Sequence, residues 1–88
     1  MTMAERMRAK LTEALDPIKL EIVDDSERHR GHAGYVEGGE THFNLRIRSS
    51  AFDGLSRVAR QRLVYRTVAD ELQERVHALS MTLSGSDE

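Results

Sequence analysis

The chain has no cysteine, which excludes disulfides, thiolate metal ligands and thiol nucleophiles, and suits a reducing compartment. Its N-terminal stretch, MTMAERMRAK, lacks the apolar core of a signal peptide, and no hydrophobic run approaches bilayer-spanning length. A soluble cytoplasmic protein with no membrane partner is the expectation. Aromatics are scarce, two Tyr and two Phe, poor material for stacking bases. There is no phosphate-cradling glycine loop, no nucleophile with a plausible base and no H-E-x-x-H motif, so the chain does not read as an enzyme. Adjacent Asp24 and Asp25 would point to opposite faces of a strand, which argues against an acid/base pair. With 88 residues there is room for one core, burying about 60% of the unfolded surface.

The formal net charge of −2 gives no global attraction for nucleic acid or anionic membrane. Charge is nevertheless segregated. Between positions 46 and 66 stand six arginines against a single acid, Asp53, whereas positions 21–40 carry six acids against two arginines.

Local patterns give the element order. Thr2 with Glu5 fits a capping box, and Met3, Met7, Leu11 and Leu15 form one apolar helical stripe that stops at Asp16-Pro17. Ile18, Leu20 and Ile22 alternate with Lys19 and Glu21, the period of a half-buried strand. Positions 24–39 hold four glycines and little that is apolar, a long connection of the kind that is functional or disordered. Phe43, Leu45 and Ile47 alternate as a second strand, and a turn with Gly54 follows. Ser56 caps a short helical turn over 57–60, and a longer helix covers 61–74 with Val64, Val68 and Leu72 on one face. A last strand starts near Val76 and runs through His77, Leu79, Met81 and Leu83. The order α-β-β-α-α-β predicts a two-layer α+β sandwich with a three-stranded sheet, a single domain over 1–83, and a polar frayed tail at 84–88.

Four segments together resemble the BolA family: ETHFNLRI at 40–47, FDGLSRVARQRLVY at 52–65, ADEL at 69–72 and VHAL at 76–79. The similarity runs from about Lys10 to Leu83, and the order and spacing of the segments make it specific. It implies a class II KH-like fold, in agreement with the element order. Two features depart from the family pattern. Gln61 stands where many members carry a histidine, and the first loop holds two histidines, His29 and His32. Counted without gaps from the first strand, His29 falls on the family's loop His/Cys position, with His32 close enough to compete.

Members of this family pair with monothiol glutaredoxins and share a [2Fe–2S] cluster, the glutaredoxin supplying a cysteine and glutathione. By that resemblance His77 is the first imidazole ligand and His29 or His32 the second. A chain without thiolates could complete a cluster held mainly by a partner. A neutral imidazole in place of a thiolate raises the cluster's potential, and its protonation near pH 6.5 when free makes such a cluster acid-labile. From pattern alone His77 reads as a core-edge residue, in step with Leu79 and Met81; the VHAL match makes it a ligand. His29 and His32, in H-R-G-H, are otherwise solvated loop residues or a very weak zinc signal. His42, beside Asn44 on the polar face of its strand, reads as structural or as supporting a ligand.

Arg57, Arg60, Arg62 and Arg66 flank a helix-turn-helix-like segment, and some family members are described as DNA-binding regulators. Arginines on one helical face would contact phosphates with salt-dependent affinity. Against this, Val58-Ala59-Arg60-Gln61 stands where a KH module carries its G-x-x-G nucleotide clamp. A solvated face or a protein-partner surface are the other readings of these arginines. The free chain is expected to be a monomer or weak homodimer.

Overall fold

A computed structural model describes residues 1–26 and 39–88. Helix α1 spans Met3–Leu15, with the Glu5 N–H donating to Thr2 Oγ1 at 3.1 Å, the expected first half of the capping box. Met7, Leu11 and Leu15 are buried, as the four-residue spacing requires. The helix ends where Asp16, just before Pro17, turns left-handed at φ 42° and returns its N–H to Thr12 O.

Three strands form one sheet: β1 Lys19–Asp24, β2 His42–Arg48 and β3 Ala78–Ser84. The sheet order is β1-β2-β3, with β1 antiparallel and β3 parallel to the central β2. Phe43, Leu45 and Ile47 face the helices, flanked by Leu20 and Ile22 on one side and Leu79, Met81 and Leu83 on the other. The first strand begins one residue later than its alternation implies. Ile18 lies just outside it, 60% exposed, although its N–H still donates to Arg48 O at 2.7 Å.

A parallel β2–β3 pair requires a crossover, and positions 49–77 supply it. The expected plain turn contains a 3-10 segment, Ser50–Phe52, capped by the Ser49 side chain, and Phe52 is wholly buried. Helix α2 then runs Arg57–Thr67 and α3 Ala69–Glu74. The expected break after Arg60 is therefore displaced to Val68. Ser56 caps one continuous helix, accepting the Ala59 N–H at 3.1 Å. The Thr67 hydroxyl bonds back to Leu63 O at 2.8 Å and fully buried Val68 leaves helical geometry at φ −110°, ψ 28°.

Helix α3 carries a buried acid into the α1 interface. Glu71 is fully buried; its Oε1 accepts from Lys10 Nζ at 3.0 Å. Its Oε2 lies 2.8 Å from Lys10 Nζ and 2.9 Å from Arg6 Nη2 without an aligned hydrogen bond, so charge rather than directional bonding holds that oxygen. Arg6 also pairs with Glu74, and Lys10 with Asp70 at 3.3 Å. The hydrogen bond from Lys10 to Glu71 raises the lysine's pKa, and the one from Arg6 lowers that of Glu74.

The segment expected to fray is instead bonded to the domain. Ser49 N–H donates to Ser84 O at 3.0 Å, and Ser86 donates through N and Oγ to the two oxygens of Asp53, at 2.7 and 2.6 Å.

Candidate metal centre

The last strand starts two residues later than expected, and this places its histidine. Val76 is buried as a plug under the sheet, while His77 precedes β3 and its side chain is exposed. The core-edge position that parity implied is thus not where this imidazole sits. Its backbone is fixed: His77 N–H donates to Thr41 O at 2.7 Å and Ala78 N–H to the same oxygen at 3.2 Å.

Thr41 is itself wholly buried at the entry to β2, and its Oγ1 shares a 2.8 Å hydrogen bond with His42 Nδ1. The half-buried His42 ring meets that of His77 edge-on, with centroids 6.0 Å apart and planes at 69°.

Beneath the pair lies a polar anchor. Buried Ser26 Oγ accepts the N–H groups of Thr41 and His42, at 2.9 and 3.1 Å, and donates to Asp24 Oδ1 at 2.5 Å. Asp24 also accepts from Ser26 N at 2.9 Å and from Glu40 N at 3.2 Å. Burial pushes the Asp24 carboxyl up, but these hydrogen bonds and the charge of Arg75 hold it below its ordinary value. Arg75 Nε donates to Gly39 O at 2.9 Å. Gly39 has φ 73°, where a side chain would be strained, and a Cβ there would lie 3.4 Å from Asp24 Oδ2. Both roots of the 27–38 segment are thereby fixed beside His42. His29 and His32, the expected loop ligands, lie outside the described residues, so only their points of departure are placed.

Sequence reasoning missed Asp24, Ser26, Thr41 and Arg75 as the frame of this site. The available signal was the threonine preceding His42 in ETHF and the serine closing the first strand.

Among the described residues no group of three or more His, Cys, Asp or Glu side chains could hold a metal ion. An exposed imidazole on a fixed backbone fits a metal donor, and among the described residues it is not grouped with further side chains into a self-contained centre.

The four candidate arginines do not share one face. Arg62 and Arg66 are exposed and line a shallow surface with Ala59 and Tyr65. Arg57 and Arg60 line a separate groove between α2 and β3. Arg60 is already engaged, donating from Nη1 and Nη2 to the two carboxylate oxygens of Glu88, each at 2.6 Å. The expectation of a single phosphate-contacting face is thus corrected: spacing of three, two and four residues turns these side chains to different sides of the helix.

A three-stranded α+β sandwich with a parallel crossover and a histidine at the entry of its last strand defines the class. Residues 11–88 match the family described as BolA-like protein, and the chain belongs to that family. It is 53% identical over 81 residues to SufE-like protein 1, chloroplastic/mitochondrial, of Arabidopsis thaliana, covering 86% of this chain and 22% of that relative. It is 41% identical over 81 residues to the DNA-binding transcriptional regulator BolA of Escherichia coli strain K12, covering 92% of this chain and 73% of the relative. The solved structure of BolA1 from Arabidopsis thaliana superposes with a TM-score of 0.87 at 40% identity, covering 100% of this chain and 96% of that one. Among the described residues no helix is long and apolar enough to cross a membrane.

Proposed function

We propose that this chain is a non-catalytic adaptor that joins a monothiol glutaredoxin and contributes histidine to a shared [2Fe–2S] cluster, for cluster assembly, trafficking or iron sensing. The observation that carries the reading is the exposed His77 imidazole, set on a backbone fixed to Thr41 and flanked by the oriented ring of His42. His77 would present its lone pair outward to the partner, and His29 or His32 would bring a second imidazole from a segment whose two roots lie beside His42. The glutaredoxin would supply the thiolate and glutathione. When bound, the cluster supplies one-electron chemistry or is itself the cargo passed on. The protein's own work is presentation: it holds the donor in place before the partner arrives, which lowers the ordering cost of docking.

The test is visible absorption and circular dichroism of this chain titrated into cluster-loaded monothiol glutaredoxin, with His77→Ala in parallel. A new spectrum at one-to-one stoichiometry, lost or altered in the variant, is the expected result. An unchanged spectrum overturns the reading.

A second reading, a DNA-binding regulator, is favoured by exposed Arg62 and Arg66 and by the E. coli relative's name. Under it, replacing both arginines by alanine lowers the affinity for duplex and flattens its salt dependence.

A further inference from the structure

The stretch after Leu83 is bonded as though it were a ligand of the domain. Ser86 is clamped by both oxygens of Asp53, and Arg48 Nε donates to Ser86 O at 3.2 Å. Gly85 is buried and packed so closely that a Cβ would lie 2.5 Å from Asp53 Oδ1 and 3.0 Å from Glu88 Oε2. The turn closes with Glu88 N–H donating to Gly85 O at 3.3 Å, and it delivers the Glu88 carboxylate onto the fork of Arg60.

The guanidinium is built to receive an anion. Its Nε donates to Leu55 O at 3.1 Å, which fixes its plane, and its side chain is only 13% exposed. It forms part of the wall of the groove of about 520 Å³ between α2 and β3, with Leu55, Gln61, Met81 and Leu83. A fixed, planar fork offers two parallel donors, the geometry that carboxylate and phosphate share. The present occupant is half exposed, at 51%, and such ion pairs are weak individually. A seat that is preorganised but held by a weak internal occupant is one that an external anion can take.

We propose that Gly85–Glu88 is an intramolecular strap whose Glu88 carboxylate fills an anion seat on Arg60, so that an incoming carboxylate or phosphate group enters the α2–β3 groove by displacing it. The strap lowers apparent affinity in proportion to the fraction of molecules in which the seat is open. This device is independent of His77 and operates whether or not a cluster is bound.

The experiment is an NMR titration of the ¹⁵N-labelled chain at low ionic strength, following Arg60 Nε–H and the amides of Gly85 and Ser86. The probes are pyrophosphate and an acetylated triglutamate peptide, applied to the wild type, Glu88→Gln, Asp53→Asn and Arg60→Gln. In the wild type, binding is expected to move the Arg60, Gly85 and Ser86 signals together as the strap leaves. Glu88→Gln is expected to tighten binding by roughly three- to tenfold, which corresponds to a seat open in about a tenth to a third of molecules. Asp53→Asn, which loosens the other end of the strap, moves affinity the same way, and Arg60→Gln abolishes the site. Preference for pyrophosphate identifies a phosphate ligand, and preference for the peptide a carboxylate one; either supports the strap. Equal affinity in wild type and Glu88→Gln overturns it. So does binding that leaves Gly85 and Ser86 unmoved, or no binding of either probe by any variant.

Discussion

The ring of His42 stands edge-on to that of His77, 6.0 Å between centroids, and is itself tied through Nδ1 to the Thr41 hydroxyl. The same threonine's carbonyl accepts the His77 N–H. One buried residue thus sets the positions of two imidazoles that lie 35 residues apart in the chain (77 − 42). In the adaptor reading the two rings have unequal roles: His77 donates to metal and His42 holds the approach. His42→Ala is therefore expected to keep the imidazole signature of the mixed cluster but to change its circular dichroism, whereas His77→Ala cuts the signature to what the loop histidine alone supplies. Parallel spectra of the two variants check this, and equal losses would show that the rings act alike.

Ser26 supports this arrangement from below. Replacing it by alanine leaves the buried N–H groups of Thr41 and His42 without their acceptor, at a cost of about 2 kcal/mol. Urea unfolding should register that loss, and hydrogen exchange at those two amides should accelerate beyond the global change. If exchange rises only in line with overall stability, Ser26 is not the local anchor.

The buried Glu71 gives a test of non-additivity. Arg6 and Lys10 both approach its Oε2, so removing either cation leaves the other in place. Removing both strands a carboxylate in the interior, and the Arg6→Ala, Lys10→Ala double variant should lose more stability than the two single losses combined. Glu71→Gln retains the shape and leaves two cations that can still turn to Glu74 and Asp70. Its cost is expected to be about 2 kcal/mol, below that of a fully enclosed broken pair.

Acid should loosen the strap only as the pH falls well below the ordinary carboxylate range. Hydrogen bonds from Ser86 hold the Asp53 carboxyl below its ordinary 3.8, and the Arg60 fork holds Glu88 down to about 2. Folded-state values below the unfolded ones mean that these contacts contribute fully above about pH 4.5 and are lost as the pH falls toward 2. The Ser86 amide shift, followed from pH 6 to about 2, should therefore titrate in that window in the wild type. In Glu88→Gln the part of the transition that belongs to Glu88 should disappear, leaving that of Asp53.

The core was legible in the chain because its periods are local. Met7, Leu11 and Leu15 repeat every fourth residue, and Phe43, Leu45 and Ile47 every second, so each element announces its buried face. Phe52 was not legible, since a single aromatic in a 3-10 turn has no period to betray it. Nor was the break at Val68, because Val64, Val68 and Leu72 keep helical spacing straight across it. His77 was given the wrong environment by parity, which applies only within a strand, and β3 begins at Ala78. The strap could not be read because Asp53 and Ser86 are 33 residues apart, and Arg60 and Glu88 are 28. Nothing local in a short polar segment distinguishes a docked end from a frayed one.

The most direct test of the adaptor reading is pulsed electron paramagnetic resonance on the reduced mixed complex, with ¹⁵N-histidine incorporated into this chain alone. The account predicts strongly coupled ¹⁵N from the labelled chain, reduced in His77→Ala to the contribution of the loop histidine and retained in full in His42→Ala. A spectrum with no ¹⁵N coupling from the labelled chain, or one unchanged by His77→Ala, would contradict it.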